Sequence, residues 1–233
     1  AGDGHGCAVR ASGAVLCWGR NTQGQLGDGT YTGRVTPTAV IGVSSAAEVV
    51  TGSGFSCARL TTGAVQCWGD NGRGQLGDGT FSVRTTPVLV AGLLDAVALA
   101  AGVSHTCAVR AAGGVACWGR NDQGQLGDGT TTNRSAPVDV PGIADASQMT
   151  AGAAHSCSLS STGVVRCWGS NTLGQMGNGI FLGPQTAPIA VGAIVGATFI
   201  TGSSNHTCAI VSGARLWCWG DNSTGQLGRG TEI

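Results

Sequence analysis

The stretch that decides the fold runs Cys117-Trp118-Gly119-Arg120-Asn121-Asp122-Gln123-Gly124-Gln125-Leu126-Gly127. Its opening Cys-Trp-Gly triplet also begins at Cys17, Cys67, Cys167 and Cys218, so the spacing is 50 residues three times and 51 once. The closing Gln-Leu-Gly triplet returns with the same period, with Met176 replacing leucine in one copy. Self-similarity at a fixed period of this length indicates a repeat architecture.

Each repeat contains short apolar runs that are separated by glycine. Ala8-Val9 and Val15-Leu16 flank the loop Ala11-Ser12-Gly13, which is typical of a three-residue hairpin with glycine at the position of positive φ. A further run of small apolar residues precedes each later hairpin, at 47–51, 97–101, 147–151 and 197–201. No segment has a helical period. Three or four short strands per repeat predict the blades of a β-propeller or a closely related β-solenoid.

The whole chain, 1–233, is predicted to be one repeat domain. Its blade cores cover approximately 1–30, 47–80, 97–130, 147–180 and 197–231. The segments between them are predicted as linkers, and each carries a proline three residues before a β-branched residue: Pro37, Pro87, Pro137 and Pro188.

Composition limits the classes of partner. Glycine supplies 42 of the 233 residues, and the 12 basic residues, all arginine, balance 12 acidic ones. A neutral chain has no electrostatic footprint for nucleic acid or an anionic membrane surface. No apolar run approaches the length that spans a bilayer. We therefore expect neither nucleic-acid binding nor membrane insertion.

One known family shares the repeat pattern. The motif Ala101-Gly102-x-x-His105-Thr106-Cys107-Ala108, a glycine turn, and then the stretch from Cys117 to Gly127 strongly resembles the regulator of chromosome condensation repeat. The resemblance implies an all-β propeller of four-stranded blades, usually seven. Because five repeat cores are two short of that number, we expect a fragment of a longer chain or an open, partial propeller.

The ten cysteines form five pairs that are symmetric about the hairpins. Cys7 and Cys17 are equidistant from Ser12, so simple hairpin register places them opposite each other at a distance that suits a disulfide. The same reasoning pairs Cys57–Cys67, Cys107–Cys117, Cys157–Cys167 and Cys208–Cys218. Free buried thiols, inter-blade pairs and a His-x-Cys zinc site are alternatives, although Phe55 replaces the histidine in one repeat. Gly213 comes one place early, which predicts an altered turn in the last repeat.

No motif for catalysis or for a cofactor is present. Asp28, Asp78 and Asp128 share a Gly-Asp-Gly-Thr turn that invites a calcium interpretation, but Asn178 and Arg229 occupy the same place in the last two repeats. We interpret these aspartates as turn residues that bond their own backbone. The repeated tryptophans are interpreted as blade-to-blade core rather than as a sugar platform.

A candidate binding rim follows each Gly-Asp-Gly turn. The rim contains exposed aromatic and arginine candidates that blade rotation would align: Tyr31, Arg34, Phe81, Arg84, Arg134 and Phe181, with Thr131 and Pro184 completing the set. This composition is typical of protein interfaces. The alternative is that each aromatic residue covers a tryptophan.

The leading interpretation is a non-catalytic, extracellular protein-binding or scaffold module, because disulfides persist in oxidising compartments and rigid scaffolds tolerate variable loops. The resemblance implies relatives that act through protein contacts, including secreted bacterial members that inhibit enzymes. Self-assembly through open blade edges, into rings or filaments, is a second hypothesis. Nucleotide exchange on a GTPase is a remote one. A small-molecule ligand and a cofactor are not expected.

Overall fold

The structure is a computed structural model, and it describes residues 2–181 and 183–230. Ala1 and Thr231, which bound two of the predicted blade cores, lie outside this part. The described residues form eighteen strands in five antiparallel sheets, and no helix occurs among them. The strands divide into blades that follow one another along the chain, which confirms the predicted all-β repeat fold.

The strands of each blade are as follows. Blade 1 contains β1 His5–Val9, β2 Val15–Gly19 and β3 Arg34–Ala39. Blade 2 contains β4 Ala46–Thr51, β5 Phe55–Leu60, β6 Val65–Gly69 and β7 Arg84–Leu89. Blade 3 contains β8 Ala96–Ala101, β9 His105–Arg110, β10 Val115–Gly119 and β11 Arg134–Asp139. Blade 4 contains β12 Ala146–Ala151, β13 His155–Ser160, β14 Val165–Gly169 and β15 Gln185–Ala190. Blade 5 contains β16 Ala197–Gly202, β17 His206–Val211 and β18 Arg215–Gly220.

In a complete blade the strands lie side by side in chain order, from an inner strand to an outer strand. Inner strands β4, β8, β12 and β16 contact one another in sequence, so the blades pack around a common axis. Among the described residues, blade 1 has no inner strand and blade 5 has no outer strand. The result is an open propeller.

The proline segments differ from the prediction, because they form outer strands and not linkers. Pro37, Pro87, Pro137 and Pro188 lie within β3, β7, β11 and β15. Proline cannot donate to a ladder, but an edge strand needs hydrogen bonds on one side only. A β-bulge interrupts the pairing of each of these outer strands with the strand that precedes it, for example between Cys67 and Gly69 in blade 2.

The hairpin turns follow the glycine pattern. Gly13, the third residue of its loop, has φ +81°. In blade 5 the turn is altered as predicted: Gly213 has φ +81° and Ala214, with φ +58°, is the one non-glycine residue of positive φ among those described. The shifted glycine explains this conformation, because β17 and β18 pair up to Val211 and Arg215 and leave three residues to reverse the chain.

The core lies between blades. Trp68 of blade 2 packs in one cluster with Val15, Leu26 and Val40 of blade 1. Trp118, Trp168 and Trp219 occupy the same place in the next three interfaces. The first two of these and Trp68 are fully buried, which confirms their interpretation as blade-to-blade core. Trp18, for which no preceding blade is described, is 36% exposed.

Because blade 1 has no described inner strand, its β1 and β2 correspond to the second and third strands of the other blades, and the disulfides join these two strands in every blade. Cys7–Cys17, Cys57–Cys67, Cys107–Cys117, Cys157–Cys167 and Cys208–Cys218 are bonded, the five pairs predicted from hairpin symmetry. Each pair sits directly opposite in register, and the six cysteines of blades 2–4 are fully buried. In the described part of the chain, no helix is long and apolar enough to cross a membrane.

Candidate functional site

The long loops that join third and outer strands carry the candidate rim. They cover 20–33, 70–83, 120–133 and, with residue 182 outside the described part, 170–184. A buried asparagine organises each of the first three. Nδ2 of Asn21 donates to Oδ1 of Asp28 (3.1 Å) and to the carbonyl oxygens of Thr30 and Thr32, while its Oδ1 accepts the N–H of Leu26 at 2.9 Å. Asn71 and Asn121 repeat most of this pattern.

The aspartate of each loop is a structural anchor for the rim. Oδ1 of Asp28 accepts the backbone N–H and the hydroxyl of Thr30 at 3.0 and 2.7 Å, which is the turn predicted from the Asp-Gly sequence. Nε and Nη2 of Arg34 lie 2.9 and 2.8 Å from Oδ2 of the same carboxylate. Because Asp28 is nearly buried and Arg34 is 37% exposed at the side chain, the arginine closes the loop and still presents one side to solvent.

These contacts keep the carboxylates ionised. Burial raises the pKa of Asp28, but the hydrogen bonds from Thr30 and Arg34 outweigh it, so the pKa lies below its ordinary value. The same balance lowers the pKa of Asp78 and of Asp128. Each loop therefore contains a neutral ion pair, and the rim has little net charge to offer a partner.

The aromatic side chains of the rim are exposed. Tyr31 is 58%, Phe81 55% and Phe181 72% accessible, so each presents much of its ring to solvent. Thr131 occupies the corresponding place in blade 3 and is exposed as well. The organised loops thus hold one exposed residue per blade beside the half-exposed Arg34, Arg84 and Arg134.

Blades 4 and 5 depart from the pattern. Gln185, not Pro184, is the structural equivalent of Arg134, because it pairs with Gly169 as Arg134 pairs with Gly119. The long loop of blade 4 is one residue longer, which accounts for the single spacing of 51 residues between Cys167 and Cys218. Asn178 stands where the first three loops have aspartate, and Arg229 stands there in blade 5.

A single backbone carbonyl locks each pair of blades and thereby positions the loops. The carbonyl of Gln25 accepts the indole N–H of Trp68 at 2.9 Å and the hydroxyl of Ser56 at 3.0 Å. The carbonyl of Gln75 accepts hydrogen bonds from the indole N–H of Trp118 and the hydroxyl of Thr106 in the same way. The contact is close, since a Cβ added to Gly27 would lie 2.8 Å from Nε1 of Trp68.

The histidines near the cysteines extend this inter-blade network. Nε2 of His105 lies 2.9 Å from Oγ of Ser156, whose hydroxyl proton goes to the carbonyl of Gln125. The imidazole must therefore donate through Nε2–H, and its Nδ1 has no partner among the described residues. Burial, reinforced by the positive charges of His155 and Arg120, lowers the pKa of His105 to about 3.

Little chemistry surrounds the axis of the propeller. A cleft of about 280 Å³ is lined mainly by glycine, alanine, serine and threonine of the inner turns, including Gly52, Gly102 and Gly152. The described residues contain no cluster of three or more histidine, cysteine, aspartate or glutamate side chains that could hold a metal ion. The cysteines beside the histidines are bonded to each other.

The fold and its loops match a known family. The sequence model of the RCC1-like domain matches residues 1–233. The chain belongs to the RCC1-like domain family. Human WBSCR16 superposes on this RCC1-like domain with a TM-score of 0.86 at 23% identity, over 99% of this chain and 63% of that one.

Two further structures share the RCC1-like fold. Yeast RCC1 (Prp20), solved bound to Kap60, has a TM-score of 0.82 at 22% identity and is matched over 54% of its chain by 94% of this one. The ectodomain of the Physcomitrella patens receptor kinase CR4 has a TM-score of 0.55 at 25% identity, over 94% of this chain and 50% of that one. The domain thus spans less than two thirds of the relatives it matches. No curated protein matches its sequence.

Sequence reasoning missed three features of this RCC1-like domain. The first is the set of contacts made by Asn21, which stay within one loop. The other two, the two hydrogen bonds accepted by the Gln25 carbonyl and the histidine-to-hydroxyl contacts, join residues that lie 31 or more positions apart in sequence. Their signal was present: Asn21, Asn71, Asn121 and Asn171 recur with the period of the tryptophans. The arginines predicted for the rim directly follow the long loops, and each forms an ion pair with the aspartate of its own loop.

Proposed function

We propose that the chain is a non-catalytic, extracellular protein-binding module that contacts its partner with the exposed side chains of the long loops. The observation that carries the proposal is the repeated presentation of an accessible aromatic side chain, Tyr31 in blade 1 and Phe81 in blade 2, from a loop held by buried hydrogen bonds. Rigid aromatic side chains bury a large area at little entropic cost when a partner binds.

The charges of the rim support a protein partner. Arg34, Arg84 and Arg134 are balanced by carboxylates, so the loops have no accumulated positive charge of the kind that attracts a phosphate backbone. Each guanidinium still exposes part of its surface, which can stack on or hydrogen-bond to a partner group. The partner is therefore expected to offer apolar pockets with polar borders, as protein interfaces do.

An extracellular location is favoured by the disulfides. Five bonds in five blades are difficult to maintain against the thiol systems of the cytosol. Each closes a short hairpin, and the second strand of that hairpin leads into the long loop in blades 1–4. A binding surface outside the cell gains resistance to unfolding and proteolysis from such bonds.

Matched double variants test the proposal. The immobilised chain is exposed to secreted and cell-surface proteins of its source, and the retained proteins are identified by mass spectrometry. Tyr31→Ser with Phe81→Ser is expected to abolish capture of the specific partner. Leu94→Ser with Val195→Ser removes exposed apolar groups beside the hairpin turns, at the other end of the blades, and is expected to leave capture intact. Equal loss in both variants would exclude the rim as the binding surface.

Self-assembly is the second candidate, and Trp18 is the observation that favours it. Its four equivalents are buried against the Gln-Leu-Gly or Gln-Met-Gly turn of a preceding blade, whereas Trp18 is 36% exposed. The turn at Gln226-Leu227-Gly228 is equivalent to the turns that contact those tryptophans, and among the described residues nothing lies within 4 Å of a Cβ at Gly228. It could therefore accept Trp18 of a second copy. Light scattering over a concentration series tests this: growth in mass that Trp18→Ser abolishes supports assembly, and a constant single-chain mass contradicts it.

Nucleotide exchange is not proposed. One solved relative is described by the binding of yeast Prp20p to Gsp1p and histones, and its resemblance at 21% identity concerns the fold. The neutral long loops and the disulfides of the present chain favour a different partner.

A further inference from the structure

A small polar pocket lies between blades 1 and 2, where the long loop of blade 1 begins. Its volume is about 160 Å³, and its lining includes six residues with polar or missing side chains: Asp3, Arg20, Gln23, Gln25, Gly54 and Asp70. Pockets for drug-sized ligands are larger, so this one fits a molecule of a few heavy atoms. No residue of the candidate rim lines it.

Gln25 places a hydrogen-bond donor in the pocket. The residue is 1% exposed, and its Oε1 accepts the N–H of Gln23 at 2.9 Å. This bond fixes the amide, so Nε2 is the atom that faces the pocket, and it has no partner among the described residues. In blade 2 the equivalent Nε2 of Gln75 donates to Oδ2 of Asp70 at 2.8 Å. Blade 1 has Arg20 in the place of Asp70, and a guanidinium cannot accept a hydrogen bond.

Arg20 lacks an acceptor of its own. Its Nε donates to Oγ1 of Thr22 at 3.0 Å, and in the described part of the chain no carboxylate forms an ion pair with its guanidinium. In blade 3 the equivalent Arg120 is paired, because its Nη2 lies 2.6 Å from Oδ2 of Asp122, which stands in the place of Thr22. Blades 2 and 3 therefore satisfy these positions internally, whereas blade 1 leaves a guanidinium and an amide N–H for an acceptor from outside.

Two carboxylates complete the polar lining. Asp70 comes from blade 2, and its Oδ1 and Oδ2 accept one hydrogen bond each, from the N–H of Gly72 and from Gln75. Asp3 is exposed, and its Oδ2 lies 3.5 Å from Oγ of Ser53, at the limit of hydrogen bonding. A carboxylate oxygen can accept more than one donor, so both groups can still bind an ammonium.

Gly54 keeps the space between the two blades open. A Cβ at this glycine would lie 3.5 Å from Cγ of Gln23 and 3.6 Å from Cβ of Asp70, so both side chains border the place that its own would fill. Its φ of +80° also disfavours any larger residue. Blades 3 and 4 have Ser104 and Ala154 at the equivalent position. The missing side chain is therefore a feature of this interface and not of the repeat.

We propose that the pocket binds a free α-amino acid with a small side chain. The carboxylate of the ligand accepts hydrogen bonds from Arg20 and from Nε2 of Gln25, and its ammonium donates to Asp70 and Asp3. One arginine and two aspartates give the pocket a net charge of −1, which disfavours a simple anion. A simple cation would leave the two donors unsatisfied, whereas a zwitterion satisfies both sets.

This site goes beyond the proposed function and departs from the sequence-based expectation that the chain has no small-molecule ligand. The sequence did not reveal it because Arg20, Gln25 and Asp70 meet only through the packing of two blades.

Three small compounds test the proposal on the 233-residue chain. Alanine carries both charged groups, propionate lacks the ammonium, and ethylamine lacks the carboxylate. NMR titration is expected to show that alanine binds about tenfold or more tightly than either of the others, the range for one hydrogen-bonded charge contact. The proposal is overturned if alanine does not bind, or if propionate or ethylamine binds equally well.

Matched variants locate the site. Thr22→Asp copies the pair formed by Arg120 and Asp122 into blade 1, so it supplies Arg20 with an internal acceptor and is expected to weaken alanine binding about tenfold or more. Thr172→Asp makes the same change at the equivalent exposed position of blade 4, where no arginine precedes it, and is expected to leave the affinity unchanged.

Gln25→Glu gives a second, independent test. Glutamate keeps an oxygen for the N–H of Gln23 but replaces the Nε2 donor by a second oxygen, so alanine binding is expected to be lost. Parent affinity in both Thr22→Asp and Gln25→Glu would overturn the assignment of the pocket. The test involves no residue of the rim, so its failure would leave the proposed function standing.

Discussion

The indole N–H of Trp68 donates to the backbone carbonyl of Gln25, 43 residues earlier, at 2.9 Å. The same bond recurs from Trp118, Trp168 and Trp219 to the blades before them. Each blade is therefore completed by its neighbour, and the stability of the chain depends on interfaces that are copies of one another.

The tryptophan bond can be measured against a control within the chain. Trp118→Phe removes the indole N–H and part of a fully buried side chain, and we expect it to lower the free energy of unfolding by about 1–3 kcal/mol. Trp18→Phe changes an exposed ring, so its expected cost is below about 0.5 kcal/mol. Denaturant unfolding with intact disulfides measures both. Similar losses in the two variants would contradict the inter-blade account.

The stability of the chain is expected to fall in acid because of its buried histidines. The pKa of His105 is lowered to about 3 and that of His155 to about 4, chiefly by burial, while both titrate near 6.5 when unfolded. A depressed histidine pKa means that stability is complete above pH 6.5 and is lost progressively as the pH falls towards the folded values. Each histidine contributes up to about 1.4 kcal/mol per pH unit.

His105→Phe tests the origin of this pH dependence. Phenylalanine fits the position, since Phe55 occupies it in blade 2, fully buried. The variant is expected to fold and to show a shallower loss of unfolding free energy between pH 6.5 and 4 than the parent chain. The pKa of Asp28 is also lowered, so its contribution is lost only as the pH falls below the ordinary aspartate value of 3.8. An unchanged slope above pH 4 in His105→Phe would refute the assignment to histidine.

Two serines on one strand are expected to behave oppositely. Ser158 is buried and its hydroxyl has no partner among the described residues, whereas Ala58 and Ala108 fill the equivalent place in blades 2 and 3. Ser158→Ala is therefore expected to raise the free energy of unfolding by about 1 kcal/mol. Ser156→Ala, which breaks contacts to His105 and Gln125, is expected to lower it by about 1–3 kcal/mol. Thermal or denaturant unfolding of the pair decides the matter, and equal effects would show that the hydrogen-bond assignment is incorrect.

The disulfides are expected to react with reductant in an order set by burial. Both cysteines of Cys208–Cys218 and one of Cys7–Cys17 are partly accessible, while the pairs of blades 2–4 are fully buried. Thiolate attack requires access to a sulfur atom. Pulsed alkylation followed by peptide mass spectrometry should find Cys208 and Cys218 labelled first, then Cys7 and Cys17. Simultaneous labelling of all ten residues under native conditions would contradict the packing described above.

Much of the fold was predictable because the repeat period and the spacing of residues within each repeat indicate the strands directly. The 50-residue period predicted the succession of blades, and the symmetry of Cys7 and Cys17 about the hairpin predicted how the cysteines pair. Pro37 concealed an outer strand, since proline normally argues against one and the edge position that permits it is a tertiary fact. Pro184 was aligned wrongly because the 51-residue spacing from Pro137 to Pro188 reveals an inserted residue but not its position within the loop.

The rim stays a prediction as a binding surface, and its internal contacts could not be predicted. Sequence places Arg34 three residues after Tyr31, but the bond from Arg34 to Asp28 depends on how residues 21–34 fold back on Asn21. The reversed charge at Arg229 was visible in the sequence as a departure from the pattern. The structure adds that the equivalent aspartates of blades 1 and 2 face the first residue of the outer strand.

Site-specific photo-crosslinking tests the central claim, that the long loops are the binding surface, most directly. A photoreactive phenylalanine is placed at position 81 in the rim, or at position 94 beside a hairpin turn as the control, since both side chains are exposed. The account predicts that a specific extracellular protein is cross-linked from position 81 and not from position 94. A specific partner that is cross-linked only from position 94 would contradict it.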